Sequence, residues 1–333
     1  MDNKKVPAAF YPTTTVFLDD NASFLTNLCF DLNEQFTYQK FIAPTDALAL
    51  IDSNLPHNFF SNCLSDDPNF EESPETHRAV NINIKPIAEH IKQTDRFAEV
   101  STLVVDYDMP TMNGLEFCKK ITNPNIKKIM LTGQAEDGIA IKAFNEGLID
   151  HYINKSDPNL MQHLNQSLHE LQIDYFNDKC KSLLNNLCVE QSCALKNSAY
   201  TQLVREYCRD QNIVEFYLID TTGSLLCIDA KGNSSCLLAK NDEDMDMYYQ
   251  VALDYEMDAA VLEKIKTGQV IPFFGKRNFW EIDADEWLQN FHAGTTITGN
   301  KPFYTAVVPK PNFIDTPFTH YDTYVNDAWL KQT

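Results

Sequence analysis

The residues best suited to chemistry in this sequence are polar groups standing at the ends of apolar runs. Asp19 and Asp20 close TTVFLDD (14–20). Asp106 closes Leu103-Val104-Val105, with Asp108 two residues on and Met-Pro-Thr-Met-Asn-Gly after it. Thr132 closes KKIML (127–131), and Lys155 follows DHYIN (150–154). If these runs are parallel strands, all of these groups gather at one edge of a sheet. Three carboxylates crowded there would repel, and their pKa values would rise. A hard divalent cation resolves this, and oxygen ligands with few protein groups favour Mg²⁺ over Zn²⁺. Lysine adds a compact positive charge and threonine a hydroxyl donor, a set that suits the oxygens of a phosphoryl group. The central carboxylate is then a nucleophile able to form an acyl phosphate.

Five strand–helix units must position these groups. Strands are predicted at 14–20, 36–42, 102–106, 127–131 and 150–154. The helices between them are predicted from Asn21 to about Leu32 (Asn21 or Ser23 as cap), from Thr45 to Ile51 (Thr45 as cap), from Gly114 to Lys120 and over 136–147. Alternating strands and helices imply a five-stranded parallel, doubly wound, flavodoxin-like α/β domain over 14–175, after a tail at 1–13, with ligands at the carboxyl ends of the strands. The alternation breaks at about 53–95, an insertion rich in Asn, Ser, Pro and acids, with a helix expected near 84–95. From Pro158 a helical pattern continues to about 195 without Gly or Pro over 159–195. It is either one helix or two joined by a kink near 176–182. Its leucine stripe suits either the core or a dimer seam.

Charge narrows the partners. The formal net charge is −20, and from residue 196 onward 12 Lys and Arg stand against 20 Asp and Glu, a net of −8. Such a chain is repelled by phosphate backbones, so direct nucleic-acid binding is disfavoured. No apolar stretch is long enough to span a bilayer, and no signal peptide is read at the start. Nine cysteines without a CxxC pair point to free thiols in a cytoplasmic protein.

The spacing of these motifs resembles the receiver domain of two-component response regulators. That family has an acidic pair after strand one, D-x-x-M-P-x-M-x-G after strand three, T or S and a small residue after strand four, and K after strand five. Here they are Asp19-Asp20, DYDMPTMNG (106–114), Thr132-Gly133 and Lys155. The resemblance implies that Asp106, three residues before Met-Pro, is the phosphoacceptor. It implies that Asp19, Asp20, Asp106 and the backbone carbonyl of Asp108 hold Mg²⁺. Thr132 would be the hydroxyl that moves to the phosphoryl group, Lys155 its ion-pair partner, and Tyr152 the aromatic that swings inward. A sensor histidine kinase would be the donor, and a homodimer through the receiver and its long helix the readout. The whole chain is similar to quorum-sensing response regulators, which implies a place downstream of sensor kinases. One departure stands at Ser156, where the family has proline. A phosphatase of the haloacid dehalogenase type also uses an aspartyl nucleophile, but the Met-Pro after DYD and the acidic pair after strand one fit a receiver better.

The second half, 196–333, reads as a smaller α+β output domain. A three-stranded antiparallel meander is expected at 213–240, with turns at TTG and AKGN, then helices at 241–257 and 258–268. No catalytic motif appears, and the chain is not expected to be an enzyme beyond its own phosphorylation and dephosphorylation. Two alternatives remain, a regulated enzyme with its site in 196–333 and a phosphate-independent receiver acting as an interaction module. The run DEDMD (242–246) suits a helix N-terminus or a cation. Phe273, Phe274, Trp280 and Trp287 suit a core or a pocket, and His292 has no partner at catalytic spacing.

Overall fold

The computed structural model describes residues 5–32, 36–54, 58–66, 80–133, 137–187, 193–275, 277–299, 301–312, 314 and 317–332. The rest of the expected insertion, 67–79 above all, lies outside the described residues. In chain order the strands are β1 (Ala9–Phe10), β2 (Thr14–Leu18), β3 (Thr37–Phe41), β4 (Leu64–Asp66), β5 (Val80–Ile82), β6 (Val100–Asp106), β7 (Lys127–Thr132), β8 (His151–Asn154), β9 (Ile213–Leu218), β10 (Leu225–Asp229), β11 (Ser234–Lys240), β12 (Val270–Pro272), β13 (Phe291–Ala293), β14 (Thr295–Ile297) and β15 (Phe303–Pro309). The α-helices are α1 (Ala22–Phe30), α2 (Pro44–Ser53), α3 (Lys85–Glu89), α4 (Gly114–Lys120), α5 (Asp137–Asn145), α6 (Leu160–Leu187), α7 (Ser198–Asp210), α8 (Asp242–Asp254), α9 (Ala259–Lys266), α10 (Ala284–Gln289) and α11 (Tyr321–Gln332). They fall into two compact units, Tyr11–Asn58 with Asp95–Lys179, and Met1–Phe10 with Phe59–Thr94 and Cys180–Thr333.

The first unit is the expected parallel sheet, in the order β3-β2-β6-β7-β8. Its central strands β2 and β6 are buried at every position, as strands covered on both faces must be, and so they read as near-continuous apolar runs. Helix caps fix where the chain turns. Asn21 accepts the Phe24 N–H at 3.0 Å to start α1. Asn113 and Glu116 form a reciprocal capping box that starts α4. At α2 the expectation fails. Pro44 opens the helix after an uncapped Ala43, because proline's fixed φ and missing N–H suit the first turn. Thr45 lies inside that turn and donates to Asp46 instead.

Helix α6 runs as one helix from Leu160 to Leu187 rather than as two. Its stripe belongs to the core. Leu164, Leu168 and Leu171 pack with Phe17, Val104, Ile129 and Ile153. Tyr175, Phe176, Cys180, Leu183 and Leu187 are buried as well.

The second unit is built on an antiparallel sheet ordered β1-β9-β10-β11-β15-β14. The meander β9-β10-β11 is where the turn chemistry places it. Asp220 Oδ1 accepts the N–H groups of Thr222, Gly223 and Ser224 at 2.9–3.1 Å, and Gly223 adopts φ 122°, open to glycine alone without strain. Strand β1, within the segment expected to be a tail, pairs with β9. The acids of α8 stand in its first turn behind an Asn241–Asp244 capping box. Trp287 is fully buried, with Tyr248, Tyr255 and Phe291 edge-on to it, whereas Trp280 is exposed. Phe273, Phe274, Arg277, Asn290, His292 and Lys310 are among the residues lining an open cavity of about 290 Å³. Burial there lowers the pKa of His292. Among the described residues, no helix is long and apolar enough to cross a membrane.

Candidate functional site

The register of the parallel sheet assembles the site. Leu18 is level with Val105, which puts Asp19 beside Asp106, the last residue of β6. Asp106 is level with Leu131, and Thr132 with Asn154, which puts Lys155 one residue past the edge. Strand order reverses between β2 and β6, the place where open α/β sheets bind ligands.

Asp19 and Asp106 are buried at this edge and Asp20 is exposed. One oxygen from each of the three can be chosen so that all lie within 4.8 Å of one another. Lys155 Nζ reaches across to Asp19 Oδ2 at 2.7 Å and Asp106 Oδ1 at 2.8 Å. Its ammonium also stands 4.7 Å from the centre of the Phe24 ring. The Asn21 N–H donates to Asp19 Oδ1 at 2.8 Å. Nothing in the local pattern singles out Asn21 as a donor to the site, or Phe24 as a ring under the lysine.

Electrostatics leave the site short of positive charge. At an effective dielectric of about 20, two carboxylates this close repel by roughly 3–4 kcal/mol, and one lysine cannot neutralise three of them. Burial pushes the Asp106 pKa up, and the charge of Asp19 adds to that; the hydrogen bond from Lys155 and the Asp108 N–H only partly offset it. Burial alone would lower the Lys155 pKa, but Asp106 and Asp19 together raise it. An all-oxygen, partly open donor set with surplus negative charge fits a hard divalent cation such as Mg²⁺.

The loop after Asp106 is shaped by close backbone approach. Gly114 N–H donates to Tyr107 O at 2.9 Å. A Cβ on Gly114 would collide with the Asp106 carbonyl oxygen and with Met130 Sδ. Asp108 is exposed, and its N–H, not its carboxylate, reaches Asp106. Thr132 is buried at the end of β7, and Lys155 N–H donates to its carbonyl at 2.8 Å. Tyr152 points outward, 39% exposed, edge-on to Phe144 with ring centres 6.3 Å apart. At the position where proline was expected, the Ser156 N–H donates to Asn154 Oδ1 at 2.8 Å, a bond proline could not make.

The parallel sheet and its acidic edge are those of a receiver, and residues 78–165 match the response regulator receiver domain family. The chain belongs to the response regulators. Over its whole length it is similar to the Legionella pneumophila response regulator LqsR, with 33% identity across 99% of this chain and 99% of that one and a TM-score of 0.81. An adenylate cyclase from Rhodopirellula baltica aligns with 53% of this chain and 98% of its own at 21% identity and a TM-score of 0.37. A response regulator receiver domain protein from Clostridium thermocellum aligns with 52% of this chain and 98% of its own at 18% identity and a TM-score of 0.32. No curated protein matches the sequence.

Proposed function

We propose that this chain receives a phosphoryl group from a sensor histidine kinase on Asp106. Mg²⁺ would be held by Asp19, Asp20, Asp106 and the backbone carbonyl of Asp108. The observation that carries this reading is the convergence of three carboxylates and one bridging lysine at the switch point of the sheet. A bound Mg²⁺ supplies charge that offsets the carboxylates and the phosphoryl oxygens. An oxygen of Asp106 bonds to phosphorus as the P–N bond to the kinase histidine breaks, giving an acyl phosphate. Lys155, already bridging Asp19 and Asp106, pairs with the new phosphoryl oxygens. Thr132 donates its hydroxyl to them, and Tyr152 turns inward behind it.

The readout is signalling rather than turnover. Because the α6 stripe is used in the core, receiver dimerisation would draw on the α5–β8 side, where Ile141, Phe144 and Tyr152 are exposed. The segment 196–333 would act as the output, binding a protein or a small ligand. Quorum sensing in the cytoplasm is the setting that the resemblance implies. A regulated enzyme is the second reading, drawn from the cavity beside His292, and steady turnover of a substrate that is lost in His292→Ala would support it.

Calorimetric titration with Mg²⁺ tests the metal half. Binding should vanish in Asp19→Asn and Asp106→Asn and survive in Asp108→Asn, which keeps its carbonyl. Size-exclusion before and after acetyl phosphate tests dimerisation, which predicts earlier elution only when Asp106 is intact.

A further inference from the structure

Within the second unit, one face of α7 carries Tyr200, Val204, Tyr207 and Cys208, at helical positions i, i+4, i+7 and i+8. Two hydroxyls hold that face on the meander. Tyr200 O–H donates to Gly223 O at 2.8 Å, and Tyr207 O–H donates to Ser235 Oγ at 2.8 Å. Ser235 is the cross-strand partner of Cys227, so their side chains stand on the same face of the sheet. Cys208, next to Tyr207, is thereby brought against Cys227, and the two thiols hydrogen-bond to each other. That bond, and burial after it, push the Cys227 thiol well above its ordinary pKa. Cys227 therefore keeps its proton and donates it to the Cys208 sulfur. Cys236 follows Ser235 and points to the opposite face, because side chains alternate along a strand.

Exposure sets the order of attack. Cys208 is half-buried and Cys227 is buried, so a reagent in water meets Cys208 first. The contrast is with Cys29 and Cys118, whose thiols burial pushes up to about 12, and with Cys63, pushed up to about 11. Thiolate is scarce at those three sites at neutral pH, and all three are buried. A disulfide needs two sulfurs to close to about 2.05 Å, a short step for thiols already in hydrogen-bond contact.

We propose that Cys208 and Cys227 are an oxidation site, a thiol pair that hydrogen peroxide converts to a disulfide pinning α7 to β10. The Cys208 thiolate attacks one peroxide oxygen. The O–O bond breaks, an S–O bond forms, and the other oxygen leaves as water with the Cys208 proton, giving a sulfenic acid. The Cys227 sulfur then attacks the Cys208 sulfur. The S–S bond forms as the S–O bond breaks, and the departing hydroxide takes the Cys227 proton as water. Two thiols and one peroxide thus give one disulfide and two waters, and a dithiol reductant reverses the link by exchange. The proposal is independent of the reading of Asp106.

The test uses the full chain, reduced and then treated with a small excess of hydrogen peroxide. Remaining thiols are alkylated, and intact mass and tryptic peptides are read without reductant. Cleavage after Arg205, Arg209 and Lys231 separates the two cysteines, with Cys208 in 206–209 and Cys227 in 210–231 and no other cysteine in either. Wild type should lose the mass of two hydrogens and yield one linked peptide joining 206–209 to 210–231. Dithiothreitol should restore both peptides. The link should be absent from Cys208→Ser and Cys227→Ser and retained by Cys236→Ser. The oxidised chain should also melt a few degrees higher than the reduced one, because the link restrains the unfolded chain. Cys208 is half-buried, so Cys208→Ser keeps the comparison if Cys227→Ser fails to fold. Four results overturn the proposal. They are no linked peptide, Cys208 ending as sulfinic acid beside an alkylated Cys227, a link from Cys208 to Cys236, and a link between two copies of 206–209.

Discussion

Two aspartate–lysine pairs stand at strand ends in this molecule, and they differ in what surrounds them. In the receiver unit Lys155 bridges Asp19 and Asp106 at 2.7 and 2.8 Å. In the other unit Lys240 pairs with Asp220 at 2.6 Å. Burial raises the pKa of both Asp106 and Asp220, yet the outcomes are opposite. Asp106 stays high, because burial outweighs the Lys155 hydrogen bond and Asp19 adds negative charge. Asp220 ends below the ordinary carboxylate range, because Lys240 and the Ser224 hydroxyl and N–H outweigh burial. Its neighbour Asp244 accepts the Thr222 hydroxyl at 2.7 Å. One pair is satisfied and structural. The other carries surplus charge and is chemically poised, which is the pattern expected of functional sites.

The largest effect that separates the two pairs comes from removing each lysine. Lys240→Met strands a part-buried carboxylate and should destabilise its unit by about 3–5 kcal/mol, with no recovery on adding Mg²⁺. Lys155→Met should also lower the melting temperature, but millimolar Mg²⁺ should restore much of it, because a cation can take the place of the ammonium. Equal behaviour of the two variants would erase the distinction. Gly114→Ala comes next. Its new Cβ meets the Asp106 carbonyl, and the forced shift should cost about 1–3 kcal/mol and weaken Mg²⁺ binding, read by calorimetric titration.

Charge removal should act with opposite signs. At neutral pH, Asp106→Asn should raise the melting temperature by a few degrees, and Asp220→Asn should lower it. For Asp106, whose folded pKa lies above its unfolded one, the penalty is present at neutral pH and fades as pH falls through the raised value. For Asp220, whose folded pKa lies below its unfolded one, the stabilisation is complete above the unfolded value and is lost as pH falls through the folded one. Melting followed down an acid titration should therefore close the Asp106→Asn gap first and the Asp220→Asn gap at lower pH. The smallest effects should be equal. Asn113→Ala and Asn241→Ala each delete half of a capping box, so each should cost about 1 kcal/mol in chemical denaturation.

The two regions also differ in how much the sequence reveals. The receiver is legible because its signals are local. An apolar run, one polar residue and a cap repeat along the chain, and parallel topology then brings Asp19, Asp106 and Lys155 to one edge without knowledge of contacts. What escaped is what only contact supplies, such as Phe24 beneath Lys155 and the absence of a side-chain cap at Ala43. The second unit depends on distant partners. The turns at Asp220 and Asp229 are readable. The pairing of β1 with β9 and of β11 with β15 joins segments up to about two hundred residues apart, so the strands in 291–309 and at 9–10 carry too little local pattern to be placed. The Asp220–Lys240 pair escaped for the same reason, since each residue alone looks like an ordinary turn or strand end.

The central claim is that the surplus charge at the receiver edge serves phosphoryl acceptance at Asp106. Its most direct test is the intact mass of wild type, Asp106→Asn and Asp108→Asn after incubation with Mg²⁺ and acetyl phosphate. The account predicts one acid-labile phosphoryl group on wild type and Asp108→Asn and none on Asp106→Asn. A phosphoryl group retained by Asp106→Asn, or none on wild type, would contradict it.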